Sequence, residues 1–217
     1  MSKILLITRP NYEHTTRYIS KWSEYIISEA GKKSFEIIDL EKEKANKERF
    51  LGILSKKIEF KMLVVINGHG NEYEICGQDH KALISTQNTS LLKEKIVYAR
   101  ACSSVRVLGK KAVDDGAVAY IGYDVDFIFF IENENFSRPL LDKTAELFLA
   151  PSNYVAIALI KGHSAEEANS RSKNKFRENI KRLLIEGPSS PYYYTIGHLF
   201  NNMNHQVCVG EGAAILY

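Results

Sequence analysis

A histidine and a cysteine stand at the ends of two short apolar runs of the sequence. The first run, LVVINGHG (63–70), ends in His69, and the second, IVYARACSS (96–104), ends in Cys102. Runs of β-branched and other apolar residues of this length are typical of buried strands. In an open α/β sheet, residues that follow parallel strands lie at the carboxyl edge, where such sheets place their sites. The two runs therefore predict a cysteine nucleophile beside its base.

The chemistry of such a pair is well defined. A thiol attacks an amide only as the thiolate, and a free thiol at neutral pH is mostly protonated. His69 is the candidate base that takes the proton from Cys102. The attacked carbonyl oxygen becomes negative and needs donors, and the backbone N–H groups of Gly70 and Cys102 are candidates, because a glycine allows close approach. His80, in the loop between the two runs, is a reserve base.

Strand-like runs alternate with runs at helical spacing along the chain, which is the pattern of a mainly parallel sheet covered on both faces. The predicted strands are residues 4–7, 35–40, 62–66, 96–101 and 116–123, with a last short strand within 205–212. Helices are predicted from about residue 18 to Gly31, over 42–56, from Ser103 or Ser104 to Asp115, and over 138–149, 154–160 and 164–185. Residues 72–76 and 82–85 are predicted to form a small hairpin.

Composition narrows the class of protein. At 217 residues and 45% hydrophobic, the chain is long enough for one substantial core, and we expect a single domain over 1–217. A net charge of +3, from 29 basic and 26 acidic residues, favours binding to neither nucleic acid nor membrane. Cys76, Cys102 and Cys208 cannot all pair and lack the spacing of metal ligands. We therefore expect a cytoplasmic protein without a metal or organic cofactor.

The two runs resemble those of the caspase-like cysteine peptidases, the group that holds caspases, gingipains, clostripain, separase and CHAT-domain proteases. Its signature is an apolar strand ending in His-Gly, followed by an apolar strand ending in Ala-Cys. The interval here, 102 − 69 = 33 residues, is shorter than the roughly 50 of caspases themselves. Cys102 is also followed by Ser-Ser, so the resemblance is to the gingipain-like and CHAT-like branches.

Two further segments support the resemblance. GHSAEEA (162–168) is similar to a G-x-S-x-x-x-A element of those branches, and GEG (210–212) is loosely similar to their terminal Gly-Asp-Pro. The resemblance implies a caspase-like three-layer α/β/α sandwich with a mainly parallel central sheet. It also implies a cysteine endopeptidase acting on a protein or peptide, with a regulatory protein partner as a further expectation. Some relatives use calcium, but this sequence has no recognisable calcium loop.

Three residues are candidates for the pocket that recognises P1, the substrate residue before the scissile bond. Asp124 and Asp126 directly follow the fifth strand, where the resembling family builds this pocket, and either carboxylate would pair with a basic P1 side chain. A solvated turn or a helix cap is the alternative for both. Arg9, at the end of the first strand, makes the opposite prediction, because a strand-end arginine in caspases selects an acidic P1 residue.

Other functions remain open at this point. His69 and Cys102 could be a buried structural histidine and an inert core cysteine, in a caspase-like fold that serves as an interaction or regulatory module. A cysteine-elbow hydrolase or glutamine amidotransferase is disfavoured, because it predicts glycine on both sides of the nucleophile and a later histidine. Here Ala101 and Ser103 flank Cys102, and His69 precedes it.

Overall fold

The computed structural model describes residues 3–57 and 62–217. Strands in these ranges are β1 (Ile4–Arg9), β2 (Glu36–Glu41), β3 (Met62–Asn67), β4 (Glu74–Cys76), β5 (Ala82–Ser85), β6 (Ile96–Arg100), β7 (Ala119–Tyr123) and β8 (Gln206–Gly210). The α-helices are α1 (His14–Trp22), α2 (Glu24–Lys32), α3 (Lys47–Lys56), α4 (Lys110–Asp114), α5 (Lys143–Ile160), α6 (Ala165–Glu186) and α7 (Ile196–His205).

Six strands form a mainly parallel sheet in the order β2-β1-β3-β6-β7-β8. The strands from β2 to β7 pair in parallel, and β8 pairs antiparallel to β7 at one edge. The central strands are buried on both faces, which is why they are apolar throughout rather than alternating. The predicted hairpin is also present, because β4 and β5 pair antiparallel to each other.

Helices cover both faces of the sheet and enclose two apolar clusters. One cluster packs Phe50 of α3 and Ala112 of α4 against the sheet, together with the β4–β5 hairpin. The other packs Ile26 of α2, Leu159 of α5 and Ala168 of α6 against the opposite face. The predicted three-layer α/β/α sandwich is therefore confirmed.

The register between β3 and β6 sets the position of the candidate pair. Cα partners run from Leu63 with Ile96 to Asn67 with Arg100, an offset of 100 − 67 = 33 residues. His69 and Cys102 are separated by the same 33 residues, so each lies two positions beyond the last matched pair. The interval between the two motifs thus follows from the alignment of two neighbouring strands.

Two predicted helix boundaries are wrong. The helix expected up to Gly31 is broken at Ser23, which separates α1 from α2 and whose Oγ donates to the Ile19 carbonyl. The break expected between 149 and 154 is absent, since α5 continues through Pro151. Proline normally disrupts a helix interior, but this helix is buried on the sheet, and the Pro151 carbonyl accepts a hydrogen bond from the Ser172 hydroxyl. Tertiary packing outweighs the local preference.

Smaller differences concern the starts of elements. The segment after Cys102 begins with a π-helical turn over Val105–Gly109 before α4. A short 3-10 turn, Lys42–Lys44, precedes α3, whose N-cap is Asn46. The helix α7 was not predicted. Within the described ranges, no helix combines the length and the apolar character needed to cross a membrane.

Candidate active site

His69 and Cys102 line the same small pocket beyond the carboxyl ends of β3 and β6. Its volume is about 30 Å³. The other lining residues come from α1, from the two strand ends and from the segment after β7: Thr15, Thr16, Ile19, Gly68, Arg100, Ala101, Phe127 and Phe129. The strand ends therefore bring the predicted pair together at one cavity.

Two glycines allow the turn that carries His69 to pack closely. Gly68 has φ of +156°, and a Cβ there would lie 2.0 Å from the Cys76 carbonyl oxygen. A Cβ on Gly70 would lie 2.9 Å from the Ala101 Cβ and 3.3 Å from the Cys102 carbonyl oxygen. Only glycine fits at these two positions, because any side chain would push the turn away from the Cys102 loop.

Glu13 is a site residue that the sequence reasoning missed. Its Oε1 lies 3.3 Å from Nε2 of His69. An ionised carboxylate can only accept, so this contact places the imidazole proton on Nε2 and leaves Nδ1 free to accept a proton. Glu13 follows β1, and β1 is the neighbour of β3. Residues just after adjacent parallel strands meet at one edge, which is the signal that could have identified it.

The backbone holds Glu13 in its ionised form. Its carboxylate caps α1 by accepting hydrogen bonds from the N–H groups of Thr15 and Thr16. Burial alone would raise the pKa of Glu13, but these hydrogen bonds outweigh it and leave the pKa below its ordinary value. The carboxylate beside His69 is therefore a negative charge that orients the ring through its contact with Nε2.

The surroundings of Cys102 favour the neutral thiol. Burial raises the pKa of Cys102, and the nearby Asp126 carboxylate raises it further, while the backbone N–H of Phe127 lowers it only in part. The resting cysteine is therefore a thiol rather than a preformed thiolate. Its reaction requires a base that removes the proton during attack, and His69 is the imidazole at the same pocket.

The two candidate oxyanion donors are available. In the described part of the chain, the backbone N–H groups of Gly70 and Cys102 donate to no other residue in a hydrogen bond. The next N–H, that of Ser103, is engaged at 3.0 Å by the Val125 carbonyl. Ser103 has φ of +54°, so the chain turns sharply directly after Cys102. That turn leaves the Cys102 N–H unpaired beside the thiol.

Asp124 and Asp126 lie next to a different depression. Oδ1 of Asp124 is 2.8 Å from Nδ1 of His205, and Oδ1 of Asp126 accepts a hydrogen bond of 3.3 Å from the Ser103 hydroxyl. Both aspartates line an open groove of about 360 Å³ together with Asn201. Neither is among the described residues that line the pocket of His69 and Cys102.

Arg9 is held in an ion-pair cluster. Its guanidinium makes two hydrogen bonds to Asp39, of 2.9 and 2.6 Å, and lies within 3.7 Å of carboxylate oxygens of Glu41 and Glu24. Burial lowers the pKa of Arg9, but these carboxylates outweigh that effect and raise it. Among the described residues that line the pocket, Arg9 is absent.

His80, the reserve base, lies beside His69, with 5.4 Å between the ring centroids. Its Nδ1 is 3.3 Å from the Tyr12 hydroxyl. Both Asp79 and His80 have positive φ, of 55° and 58°, a conformation that costs energy in residues other than glycine. His80 is not among the described residues that line the pocket, so it lies at the edge of the site rather than on the pocket wall.

Among the described residues, no cluster of three or more His, Cys, Asp or Glu is arranged to hold a metal ion.

Solved structures share this architecture. Gingipain R, described as an Arg-specific cysteine proteinase, matches 98% of this chain and 47% of its own, with a TM-score of 0.60 and 13% sequence identity. The chain has a caspase-like fold. A complex of the pro- and mature domains of Porphyromonas gingivalis RgpB matches with the same coverage, a TM-score of 0.56 and 11% identity. The chain thus spans about half the length of these structures. No protein-family model and no curated protein sequence matches it.

Proposed function

We propose that the chain is a cysteine endopeptidase that cleaves peptide bonds through a covalent acyl-enzyme. The observation that carries the proposal is the convergence of His69 and Cys102 on one pocket, with Glu13 on Nε2 of the imidazole. A nucleophile, a base and a group that orients the base are the three parts that acyl transfer requires. They come from three neighbouring strands of a fold that known cysteine proteinases share.

The reaction follows from these positions. Nδ1 of His69 accepts the proton of the Cys102 thiol as the sulfur attacks the substrate carbonyl carbon. The carbonyl oxygen becomes an anion, stabilised by the N–H groups of Gly70 and Cys102. When the tetrahedral intermediate collapses, His69 returns the proton to the leaving amine and a thioester remains on Cys102. A water molecule, deprotonated by His69, then attacks the thioester, and the acid product leaves with the thiol restored.

Glu13 assists each of these proton transfers. The Nε2 proton stays directed at its carboxylate, so the ring keeps Nδ1 as the accepting nitrogen throughout. When His69 carries two protons, the adjacent carboxylate stabilises the imidazolium. Because burial raises the pKa of Cys102, this assistance is needed for the thiolate to form at neutral pH.

The proposed substrate is a protein or peptide, without a metal or organic cofactor. A regulatory protein partner is part of the proposal, because one neighbour was solved as a complex of its pro- and mature domains. The three cysteines are unpaired, which fits the cytoplasm. The Arg specificity of gingipain R is not transferred to this chain, since no carboxylate is among the described residues that line the pocket.

Incubation with a mixed peptide library tests the proposal. The wild type is expected to cleave peptides, and Cys102→Ala to cleave none, as read by mass spectrometry. Cys208→Ala is the matched control, because Cys208 lies on β8, outside the pocket, and it should cleave as the wild type does. A set of acyloxymethyl-ketone probes should label Cys102 alone. Absence of both cleavage and labelling would refute the enzyme and favour a caspase-like interaction module.

A further inference from the structure

A buried cluster of polar side chains joins the strand ends that carry the proposed site. Its centre is Arg100, which is fully buried and whose Cα pairs with that of Asn67 at the end of β3. Nε and Nη2 of Arg100 donate to Oδ1 of Asn67 at 3.1 and 3.0 Å. Nη2 also donates to the Ser23 hydroxyl, and Nη1 donates to Oδ1 of Asn153, both at 2.8 Å. All three guanidinium nitrogens are therefore engaged within the protein.

The cluster joins β3 to β6 where their backbone pairing ends. The pair of Asn67 and Arg100 is the last one in register, and the hydrogen bond just beyond it, from the Gly68 N–H to the Arg100 carbonyl, is long at 3.4 Å. His69 and Cys102 each lie two residues beyond that pair. The side-chain hydrogen bonds of Arg100 therefore hold the two strand ends together at the point where the backbone bonds weaken.

Asn67 extends the cluster to the neighbouring strand β1. Its Nδ2 donates to the Thr8 carbonyl at 2.6 Å, and its backbone N–H donates to the Thr8 hydroxyl at 2.9 Å. Both residues are fully buried. Three adjacent strands, β1, β3 and β6, are thus tied together by side chains at their carboxyl ends.

Ser23 extends the cluster to the helix that begins at Glu13. The Ser23 hydroxyl, which accepts from the guanidinium, donates at 2.8 Å to the Ile19 carbonyl of α1. Nδ2 of Asn153 donates at 2.6 Å to the Trp22 carbonyl at the end of the same helix. Glu13 is the N-cap of α1. The same cluster therefore holds the elements that carry the nucleophile, its base and the carboxylate beside the base.

We infer that Arg100 and Asn67 are positioning residues for the proposed reaction. They hold the nucleophile, its base and the orienting carboxylate in the relative positions that proton transfer requires. The inference rests on the proposed function for the reaction itself. A guanidinium suits this role because its donors form a rigid planar fork, whereas lysine offers one flexible ammonium. Precise placement matters because a displacement of about 1 Å at a reacting centre costs about 100-fold in rate.

Steady-state kinetics, expressed per competent site, test the inference. Labelling to completion with an acyloxymethyl-ketone probe counts the competent sites. Arg100→Lys keeps the charge but not the fork, and it should lower kcat per labelled site about tenfold or more with KM unchanged. Fewer labelled sites with unchanged kcat per site would show a merely structural role and overturn the inference. A raised KM with unchanged kcat would overturn it as well, because that result indicates a contact with substrate.

Ser23→Ala and Ser172→Ala form a milder matched pair, which decides the question even if Arg100→Lys does not fold. Both serines are fully buried, and each hydroxyl donates to a main-chain carbonyl of a helix. Ser23 contacts Arg100, whereas Ser172 contacts Oε1 of Gln206 on β8. Ser23→Ala should lower kcat per labelled site about threefold or more, and Ser172→Ala should leave it unchanged. Equal values in the two variants would contradict the positioning role.

Alkylation of Cys102 separates this inference from the proposed function, because it requires no peptide cleavage. At neutral pH, iodoacetamide should modify the wild type faster than His69→Ala, since the imidazole takes the thiol proton. In the Arg100→Lys background, the ratio of the rates with and without His69 should shrink about threefold or more.

The alkylation outcomes are distinct. A smaller ratio in Arg100→Lys, without peptide cleavage by the wild type, supports the positioning role and refutes the peptidase. An unchanged ratio overturns the positioning role and leaves the peptidase standing if the wild type cleaves peptides. Equal rates in the wild type and His69→Ala overturn both proposals, because the imidazole then has no effect on the thiol.

Discussion

Arg9 and Arg100 are both buried arginines at the last position of a strand, in β1 and β6, but their surroundings are opposite. Arg9 has carboxylate oxygens of Asp39, Glu41 and Glu24 within 3.7 Å. Arg100 has only amide and hydroxyl partners. The pKa of Arg9 is accordingly raised and that of Arg100 lowered. One cation is neutralised by carboxylates within the fold, and the other is held by neutral hydrogen-bond partners alone.

The contrast is between an arginine that the fold neutralises and one that it holds through dipoles alone. A buried cation with several carboxylates is compensated by opposite charge within the protein. A buried cation with neutral partners is compensated only by hydrogen bonds, which leaves more of its desolvation cost uncompensated. Sequence position does not distinguish the two, since both residues follow apolar strand runs. What distinguishes them is whether acidic residues lie on the neighbouring elements.

The largest expected effect concerns Glu13, the carboxylate that pairs with His69 and lies outside the Arg9 cluster. Glu13→Gln should lower kcat about 100-fold with little change in KM, because the amide no longer stabilises the His69 imidazolium. Glu24→Gln, in the Arg9 cluster, is the control and should leave kcat unchanged. Steady-state kinetics on a cleaved peptide measure both variants. An equal fall in kcat for the two would contradict the separation of the clusters.

The next largest effect is on stability, in the Arg9 cluster. Asp39→Asn removes a carboxylate that makes two hydrogen bonds to Arg9, and it should lower the free energy of unfolding by about 1–2 kcal/mol, since the pair is only partly buried. Denaturant titration measures the loss. Asp114→Asn, on the exposed face of α4, is the matched control. P1 selectivity should be the same in both variants, and a change in Asp39→Asn alone would reopen a role for Arg9 in substrate recognition.

A smaller effect follows from giving Arg100 the counter-ion that it lacks. Asn153→Asp places a carboxylate where Oδ1 accepts from Nη1. It should cost about 1 kcal/mol less free energy of unfolding than Asn153→Ala, because the carboxylate both accepts the hydrogen bond and pairs with the cation. Asn153→Ala is the control. Both variants lose the hydrogen bond from Nδ2 to the Trp22 carbonyl, but only the aspartate adds charge. The same loss of stability in both, measured by denaturant titration, would show that the added charge does not pair with the guanidinium.

The smallest expected effect concerns the pH dependence of Cys102. Burial raises the pKa of this thiol, so in His69→Ala its alkylation by iodoacetamide should reach half its maximal rate above the range of an ordinary cysteine, near 8.5. The sign follows because the thiolate is the reactive form and burial disfavours it. Quantifying the modified Cys102 peptide by mass spectrometry separates it from Cys76 and Cys208. A midpoint below the ordinary range would contradict burial as the dominant influence on the Cys102 thiol.

Much of the fold could be predicted from the sequence, because buried parallel strands are apolar throughout and turns end them. The predicted strands and the hairpin predicted from 72–76 and 82–85 are present, and a capping box of Ser164 and Glu167 starts α6. The predictions that failed depend on packing. Ser23 breaks a helix because its hydroxyl meets Asn67 and Arg100, and α5 continues through Pro151 because it is buried on the sheet.

The residues of the candidate site also fall into those predicted from local sequence and those that only packing brings together. His69, Gly70 and Cys102 were predicted from short motifs, because the residues that carry them are adjacent in sequence. Glu13 was not, since its importance arises from a partner 56 residues away. Asp124 and Asp126 directly follow β7, and among the described residues they line a groove separate from the pocket of His69 and Cys102. No local sequence pattern predicts which groove a turn will line.

By itself, the sequence determined two apolar strands, each followed by a reactive side chain among small residues, within an alternating α/β chain. Those features are local, because they depend on the backbone geometry and burial of each segment and not on which elements lie beside it. Only the tertiary structure decided that β1 lies beside β3 and so brings Glu13 to His69. It also decided that Arg9 meets carboxylates while Arg100 meets none, because the charge around a buried group depends on strand order and helix placement.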